Sequence, residues 1–125
     1  MSTLAAIDPS GLGPGFSDGW RTPLAPEQHY AVLDRADHVV LALDGEVVVG
    51  FATALSDGVL SAYIPLLEVL PSHRGRGIGT ALIRRLLEEI GSLYMVDVMW
   101  DPEVVPFYAR LGFTASGGGI IRNHR

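Results

Sequence analysis

A glycine-rich turn that carries two arginines is the part of this chain best suited to chemistry. It reads Arg-Gly-Arg-Gly-Ile-Gly-Thr from Arg74 to Thr80, after an apolar run that ends at Pro71 and before an amphipathic helix. The first amides of a helix have no intrahelical partner and lie at the positive end of its dipole, so they bind anions. Glycine lets a phosphate approach the backbone, and arginine adds charge and hydrogen-bond donors. The turn therefore predicts a pyrophosphate site.

Two other phosphate motifs fit this turn less well. A P-loop needs a lysine before its serine or threonine, and all nine basic residues here are arginines. A dinucleotide fingerprint is closer, because Gly75-Arg76-Gly77 opens a helix and Asp97 follows about twenty residues later. However, Thr80 stands at the third glycine position, and Asp97 falls in the middle of a predicted strand. Both departures disfavour a dinucleotide site.

Hydrophobic periodicity and turn residues predict the elements that must position this turn. They predict helices over 26–36, 77–90 and 103–111, and strands over 39–43, 47–54, 60–70 and 93–100. A short strand over 3–7 and a glycine- and proline-rich loop over 8–26 precede them, and a closing strand or hairpin over 113–122 follows. We expect Tyr30 and Leu33 to face inward from the first helix.

The order of these elements predicts an α/β (α+β) fold with a mixed, mostly antiparallel sheet. Hairpins turn at Asp44-Gly45 and Asp57-Gly58, and one strand–helix–strand crossover then makes the strands flanking the long helix parallel. Pro65 interrupts the strand over 60–70, and because proline cannot donate to a ladder, we expect a bulge there. The glycine-rich turn then lies at the carboxyl end of a central strand, where open α/β sheets bind ligands.

The composition restricts the number of domains, the partners and the location that we expect for the protein. The 125 residues fit one domain over 1–125, and 48% of them are hydrophobic. A net charge of −5 argues against a nucleic-acid partner. The chain has no cysteine, and its N-terminus lacks a signal-peptide pattern. Without an apolar stretch long enough to span a bilayer, we expect no membrane partner and a cytoplasmic location.

Two segments then give the chain a family resemblance. They are Arg74-x-x-Gly77-x-Gly79, and Asp101-Pro102 with Pro106-Phe107-Tyr108-Ala109-Arg110-Leu111-Gly112-Phe113. At this separation they resemble the two conserved stretches of the GNAT acetyltransferase superfamily, over roughly residues 38–115. The resemblance implies acetyl-CoA as co-substrate, a small-molecule or peptide amine as acceptor, and direct acetyl transfer between them. It also implies that two central parallel strands splay apart around the pantetheine arm, and it is compatible with a homodimer.

The resemblance also implies roles for individual residues. The diphosphate would be bound by Arg74, Gly75, Arg76, Gly77, Gly79 and Thr80. Tyr108 matches the family tyrosine near the thioester sulfur, where a phenol can act as general acid toward the departing thiolate. The backbone amide near Val69 would polarise the thioester carbonyl.

Other roles stay open in the sequence. Glu68, Asp97 or an ordered water could serve as the general base, and Glu68 lies in an apolar run where a carboxylate is costly to bury. The family often has asparagine where this chain has Asp101. The position of Asp101 before Pro102 predicts that it is a helix N-cap. Aromatic residues that could line the acceptor pocket are Phe16, Trp20 and Trp100, and we expect at least one of them to pack in the core instead. The four histidines lack metal-ligand spacing. The alternative function is a catalytically silent acyl-CoA-binding or regulatory module on the same fold.

Overall fold

Among the residues that the structure describes, four strands form one mixed sheet with helices on both faces. The computed structural model describes Phe16 and residues 24–123. The helices are α1 (Pro26–Arg35), α2 (Ile78–Ile90) and α3 (Val105–Arg110), and the strands are β1 (His38–Asp44), β2 (Val47–Ser56), β3 (Ser61–Val69) and β4 (Met95–Val98). Short 3-10 turns at Pro71–His73 and Pro102–Val104 precede α2 and α3.

The strand order is β1-β2-β3-β4, as the sequence predicted for a mixed sheet. β1 pairs antiparallel with β2, and β2 pairs antiparallel with β3. β3 and β4 are parallel, but their pairing runs only from Ser61↔Met95 to Ile64↔Val98. β3 continues to Val69 beyond the end of this pairing. A gap therefore opens between the carboxyl ends of the two parallel strands.

The predicted irregularity at Pro65 is confirmed. The pairing of β2 with β3 shifts register between Thr53↔Leu66 and Leu55↔Tyr63, so β3 holds one extra residue opposite this point. A proline suits such a bulge because it has no N–H to place in the ladder. The bulge lies at the residue where β3 and β4 separate.

The sheet has two buried faces, which we call the α2 face and the α1 face. On the α2 face, Ile64 and Val40 pack against α2 residues that include the fully buried Leu82 and Leu86. Burying each such side chain contributes about 1.5–3 kcal/mol, which fixes α2 and its glycine-rich start relative to β3. Gly50 has a further role here, because a Cβ on it would come 3.2 Å from Leu82 Cδ1. A glycine in β2 thus allows α2 to pack closely.

On the α1 face, Leu33 faces inward as predicted, Tyr30 does so in part, and His29 is a further inward residue. Leu33 is fully buried, and Tyr30 packs at the edge of the same cluster. His29 is also buried, with its ring centroid 4.7 Å from that of Phe51 and 5.2 Å from that of Phe16. Burial lowers the pKa of His29, because a low-dielectric site disfavours the imidazolium. His29 therefore acts as a neutral aromatic core residue.

The prediction of a closing strand or hairpin over 113–122 was wrong. Residues 113–123 contain no strand within the described part of the chain, and β4 spans 95–98 instead of 93–100. Three consecutive glycines at 117–119 supply no side chains to pack, which weakens any strand there. The expected strand over 3–7, and most of the loop over 8–26, lie outside the described residues. In the described part of the chain, none of the helices combines the length and apolar character needed to cross a bilayer.

Candidate active site

A cavity of about 620 Å³ occupies the gap between the carboxyl ends of β3 and β4. Its walls are the second half of β3, the glycine-rich turn, the first turn of α2, the residues after β4, and α3. The lining residues are Ile64, Pro65, Leu66, Leu67, Glu68, Val69, His73, Arg74, Gly75, Gly77, Ile78, Gly79, Thr80, Val98, Met99, Trp100, Asp101, Val104, Phe107 and Tyr108. The gap thus brings most of the predicted site residues together around one volume.

The start of α2 offers the backbone donors that the sequence predicted. Gly77 is the N-cap and adopts φ +81°, a left-handed conformation that favours glycine. Its carbonyl accepts the N–H of Ala81 at 3.1 Å, whereas the amides of Ile78, Gly79 and Thr80 have no intrahelical acceptor by helix geometry. These three residues line the cavity. The cavity is therefore lined by helix amides that lie at the positive end of the α2 dipole.

The arginines of the turn differ in position. The Arg74 Nε donates to the carbonyl of Val69 at 3.0 Å, so its guanidinium lies over the end of β3 and lines the cavity. Arg76 is exposed, and it is absent from the residues that line the cavity. The turn is also anchored on its other side, because His73 Nε2 lies 3.1 Å from Asp44 Oδ2 in the β1–β2 turn. Arg74 is therefore the better placed of the two for a ligand in the gap.

The direction of the β3 backbone follows from one hydrogen bond. The Leu70 N–H donates to the Val49 carbonyl of β2 at 2.8 Å, and residues of an antiparallel strand alternate in the edge to which their backbone groups point. Glu68 thus directs its backbone toward β2, while Leu67 and Val69 direct their amides into the gap. The sequence predicted backbone amides near Val69 in the gap, and the structure directs the amides of both Val69 and Leu67 there. The sequence did not single out Leu67, because the register of β3 beyond the Pro65 bulge decides which amides face the gap.

Tyr108 lies in the wall of the cavity, packed among other aromatic rings. It is 7% exposed, stacks on Trp100 with ring centroids 5.3 Å apart, and meets Phe107 and Phe113 edge to face. Burial raises the pKa of Tyr108 above its ordinary value of 10.0, since desolvation disfavours the phenolate. The phenol therefore stays protonated at neutral pH and can donate a proton into the cavity.

The two carboxylates considered as general base occupy different places. Glu68 is half-buried, pairs in register with Phe51 and lines the cavity. Asp97 is exposed, pairs with Tyr63 across β3 and β4, and lines a neighbouring cavity instead. The structure thus brings Glu68, and not Asp97, into the volume that holds Tyr108.

Three further expectations can be compared with the structure. Asp101 precedes the 3-10 turn as predicted, and its carbonyl accepts the Val104 N–H at 3.1 Å, but its side chain makes no capping bond among the described residues. Trp100 lines the cavity. Phe16 packs in the α1 cluster and does not line this cavity, so it has the core-packing role expected for at least one of the three aromatic residues. Trp20 lies outside the described residues.

Comparison with known proteins agrees with this geometry. The family model of the Acetyltransferase (GNAT) family matches residues 10–113. A crystal structure of a Deinococcus radiodurans R1 protein, provisionally classed as an acetyltransferase, is 48% identical; the match covers 98% of this chain and 85% of that chain, with a TM-score of 0.94. An aminoglycoside N-acetyltransferase in complex with CoA shares the fold at 24% identity and a TM-score of 0.58, over 81% of this chain and 76% of that chain.

Among curated relatives, the chloroplastic GCN5-related N-acetyltransferase 1 of Arabidopsis thaliana is 36% identical over 74 residues, which are 58% of this chain and 38% of the relative. The chain spans less than half the length of the curated relatives it matches. The family model nevertheless covers most of the chain, including the splayed strands, the start of α2 and Tyr108. The chain belongs to the GNAT acetyltransferase family.

Proposed function

We propose that this protein transfers an acetyl group from acetyl-CoA directly to a primary amine. The observation that carries the proposal is a single cavity in the β3–β4 gap that is lined both by the first residues of α2 and by the buried Tyr108. Family membership supports acyl transfer in general, and a relative of the same fold binds CoA. We further propose the cytoplasm as its location, because a cysteine-free chain fits a reducing compartment.

The residues of the cavity fit the chemical parts of acetyl-CoA. The diphosphate would accept hydrogen bonds from the α2 amides of Gly79 and Thr80 and from the turn at Gly75 and Gly77, where a helix dipole favours negative charge. Arg74 would add a charge-assisted contact, and Arg76 would add long-range attraction from its exposed position. The pantetheine arm would lie along β3 and pair with the backbone groups that Leu67 and Val69 direct into the gap.

The transfer step needs a proton donor, a proton acceptor and a polarised carbonyl. The Val69 amide would donate to the thioester oxygen. As the new N–C bond forms and the C–S bond breaks, Tyr108 would donate its proton to the departing sulfur, whose conjugate acid has a pKa of about 8.5. Glu68 would accept the proton that the amine loses, directly or through water, and proton exchange with solvent would restore both groups. Holding both reactants in one cavity would supply much of the rate.

An acetylation assay tests the proposal. The protein is incubated with acetyl-CoA and a panel of primary amines that includes diamines, monoamines, amino acids and short peptides, and both thiol release and acetylated product are measured. We expect at least one amine to gain a single acetyl group with one CoA released for each product. If CoA binds but no amine in the panel is acetylated, the protein is a silent acyl-CoA-binding module and the proposal fails.

A further inference from the structure

A second cavity of about 400 Å³ runs along the edge of β4 that faces away from β3. β4 forms one wall, and the segment after α3 forms the other. The lining includes Asp97 and Trp100 on the side of β4, and Thr114 and Ser116 on the side of the segment after α3. Its size suits a small molecule better than a protein segment.

The second cavity adjoins the proposed reaction centre. Val98, Met99 and Trp100 line both cavities, so the end of β4 is their common wall. The Trp100 indole stacks on Tyr108, with the ring centroids 5.3 Å apart. A molecule held against Trp100 in the second cavity would thus lie next to the phenol that serves the departing sulfur.

The charge of the second cavity is negative. Asp97 is the one ionisable side chain among the described residues that line it, beside the hydroxyls of Thr114 and Ser116. Within the described part of the chain, Asp97 makes no ion pair and no side-chain hydrogen bond. An aromatic indole in the same wall also attracts cations. The cavity therefore offers a carboxylate and an aromatic wall to a positively charged ligand.

The register of the sheet places the carboxylate of Glu68 on the same face of the sheet as the carboxylate of Asp97. Asp97 is opposite Tyr63, which pairs with Leu55, and Glu68 pairs with Phe51 on the same face of β2. Glu68 and Asp97 thus project from the α1 face on the two strands that border the gap. The α2 amides proposed to bind the diphosphate lie on the opposite face, so this acidic side is the one left for the acceptor.

We propose that the second cavity binds the acceptor, and that the acceptor is a small diamine. The reacting nitrogen must be an uncharged amine when it attacks, so it cannot stay ion-paired with Asp97. An acceptor that pairs with Asp97 throughout the reaction therefore needs a second nitrogen that remains a charged ammonium. Asp97 would pair with that distal ammonium while the other amine reaches the acetyl group beside Tyr108. This inference rests on the proposed function and narrows it to dicationic acceptors.

A matched pair of acceptors tests this inference. Steady-state acetylation of 1,4-diaminobutane is compared with that of butylamine, which has the same carbon chain and lacks the second ammonium. We expect the native protein to prefer the diamine by roughly tenfold in kcat/KM, mostly through KM, as for one charge-assisted contact. The Asp97→Asn variant should lose this preference through a higher KM for the diamine, while its affinity for CoA stays native.

The control variant removes one negative charge from a residue that does not line the second cavity. Glu88 is exposed on α2, and Glu88→Gln should leave the preference for the diamine intact. Equal use of both amines by the native protein, or a preference that survives in Asp97→Asn, would overturn the diamine assignment and leave the acetyltransferase proposal standing. If only neutral amino acids or peptides are acetylated, the inference also fails. If no amine is acetylated, the proposed function itself fails.

Discussion

Replacing Gly79 with leucine is expected to lower the affinity for CoA by roughly 30-fold or more, without unfolding the protein. A Cβ at Gly79 would lie 3.5 Å from Phe107 Cζ and 4.0 Å from Val69 Cγ2, which is ordinary van der Waals contact. Phe107 and Val69 both line the cavity, so the rest of a leucine side chain would take up space beside the first amides of α2. Each charge-assisted hydrogen bond to a phosphate contributes about 1.5–3 kcal/mol, so the loss of one or two gives this effect.

The fold should tolerate this change for two reasons. Gly79 lies within α2 and has no positive φ, and leucine stabilises a helix by roughly 0.8 kcal/mol relative to glycine. Gly119→Leu is the matched control, because a Cβ there meets nothing within 4 Å and the residue lines neither cavity. Calorimetric titration with CoA measures both variants. A folded Gly79→Leu protein with native affinity would show that the diphosphate binds elsewhere.

The Tyr108→Phe variant is expected to lower kcat at least about tenfold, within the range by which general acids accelerate reactions, while the Kd for CoA stays within about twofold. Phenylalanine keeps the stacking on Trp100 and the edge contacts with Phe107 and Phe113, so only the hydroxyl is lost. Because burial raises the pKa of Tyr108, the hydroxyl is a proton donor throughout the neutral range. Steady-state kinetics together with a CoA titration separate loss of catalysis from loss of binding.

Tyr94→Phe is the control for this change. Tyr94 is 86% exposed and lies outside both cavities, so its variant should behave like the native protein. Full activity of Tyr108→Phe would exclude Tyr108 as the general acid. An equal fall in CoA affinity and in rate would assign Tyr108 to cofactor binding instead.

Sequence reasoning succeeded where local chemistry decides the structure. The glycine-rich turn, the amphipathic pattern of α2 and the proline in β3 each determine a local conformation, and all three appear as predicted. Hairpin turns at Asp44-Gly45 and Asp57-Gly58 give the antiparallel half of the sheet for the same reason. One long helix between two strands then gives the parallel pair.

The features that sequence reasoning missed depend on long-range register and packing. Leu67 directs its amide into the gap only because the Pro65 bulge shifts β3 by one residue. Asp97 lies in a second cavity because β4 ends at Val98 and the segment after α3 approaches it. Residues 113–122 carry β-branched and aromatic side chains, but a strand also needs a neighbour with which to pair, and a sequence does not supply that information.

The central claim is that the β3–β4 gap and the start of α2 recognise CoA, and a comparison of two nucleotide ligands tests it most directly. Thermal unfolding of the native protein is followed with increasing CoA and, separately, with increasing NAD, because a ligand that binds only the folded state raises the midpoint. We predict a rise in Tm that grows with CoA concentration and no rise with NAD. An unchanged Tm with CoA, or an equal rise with NAD, would contradict the claim.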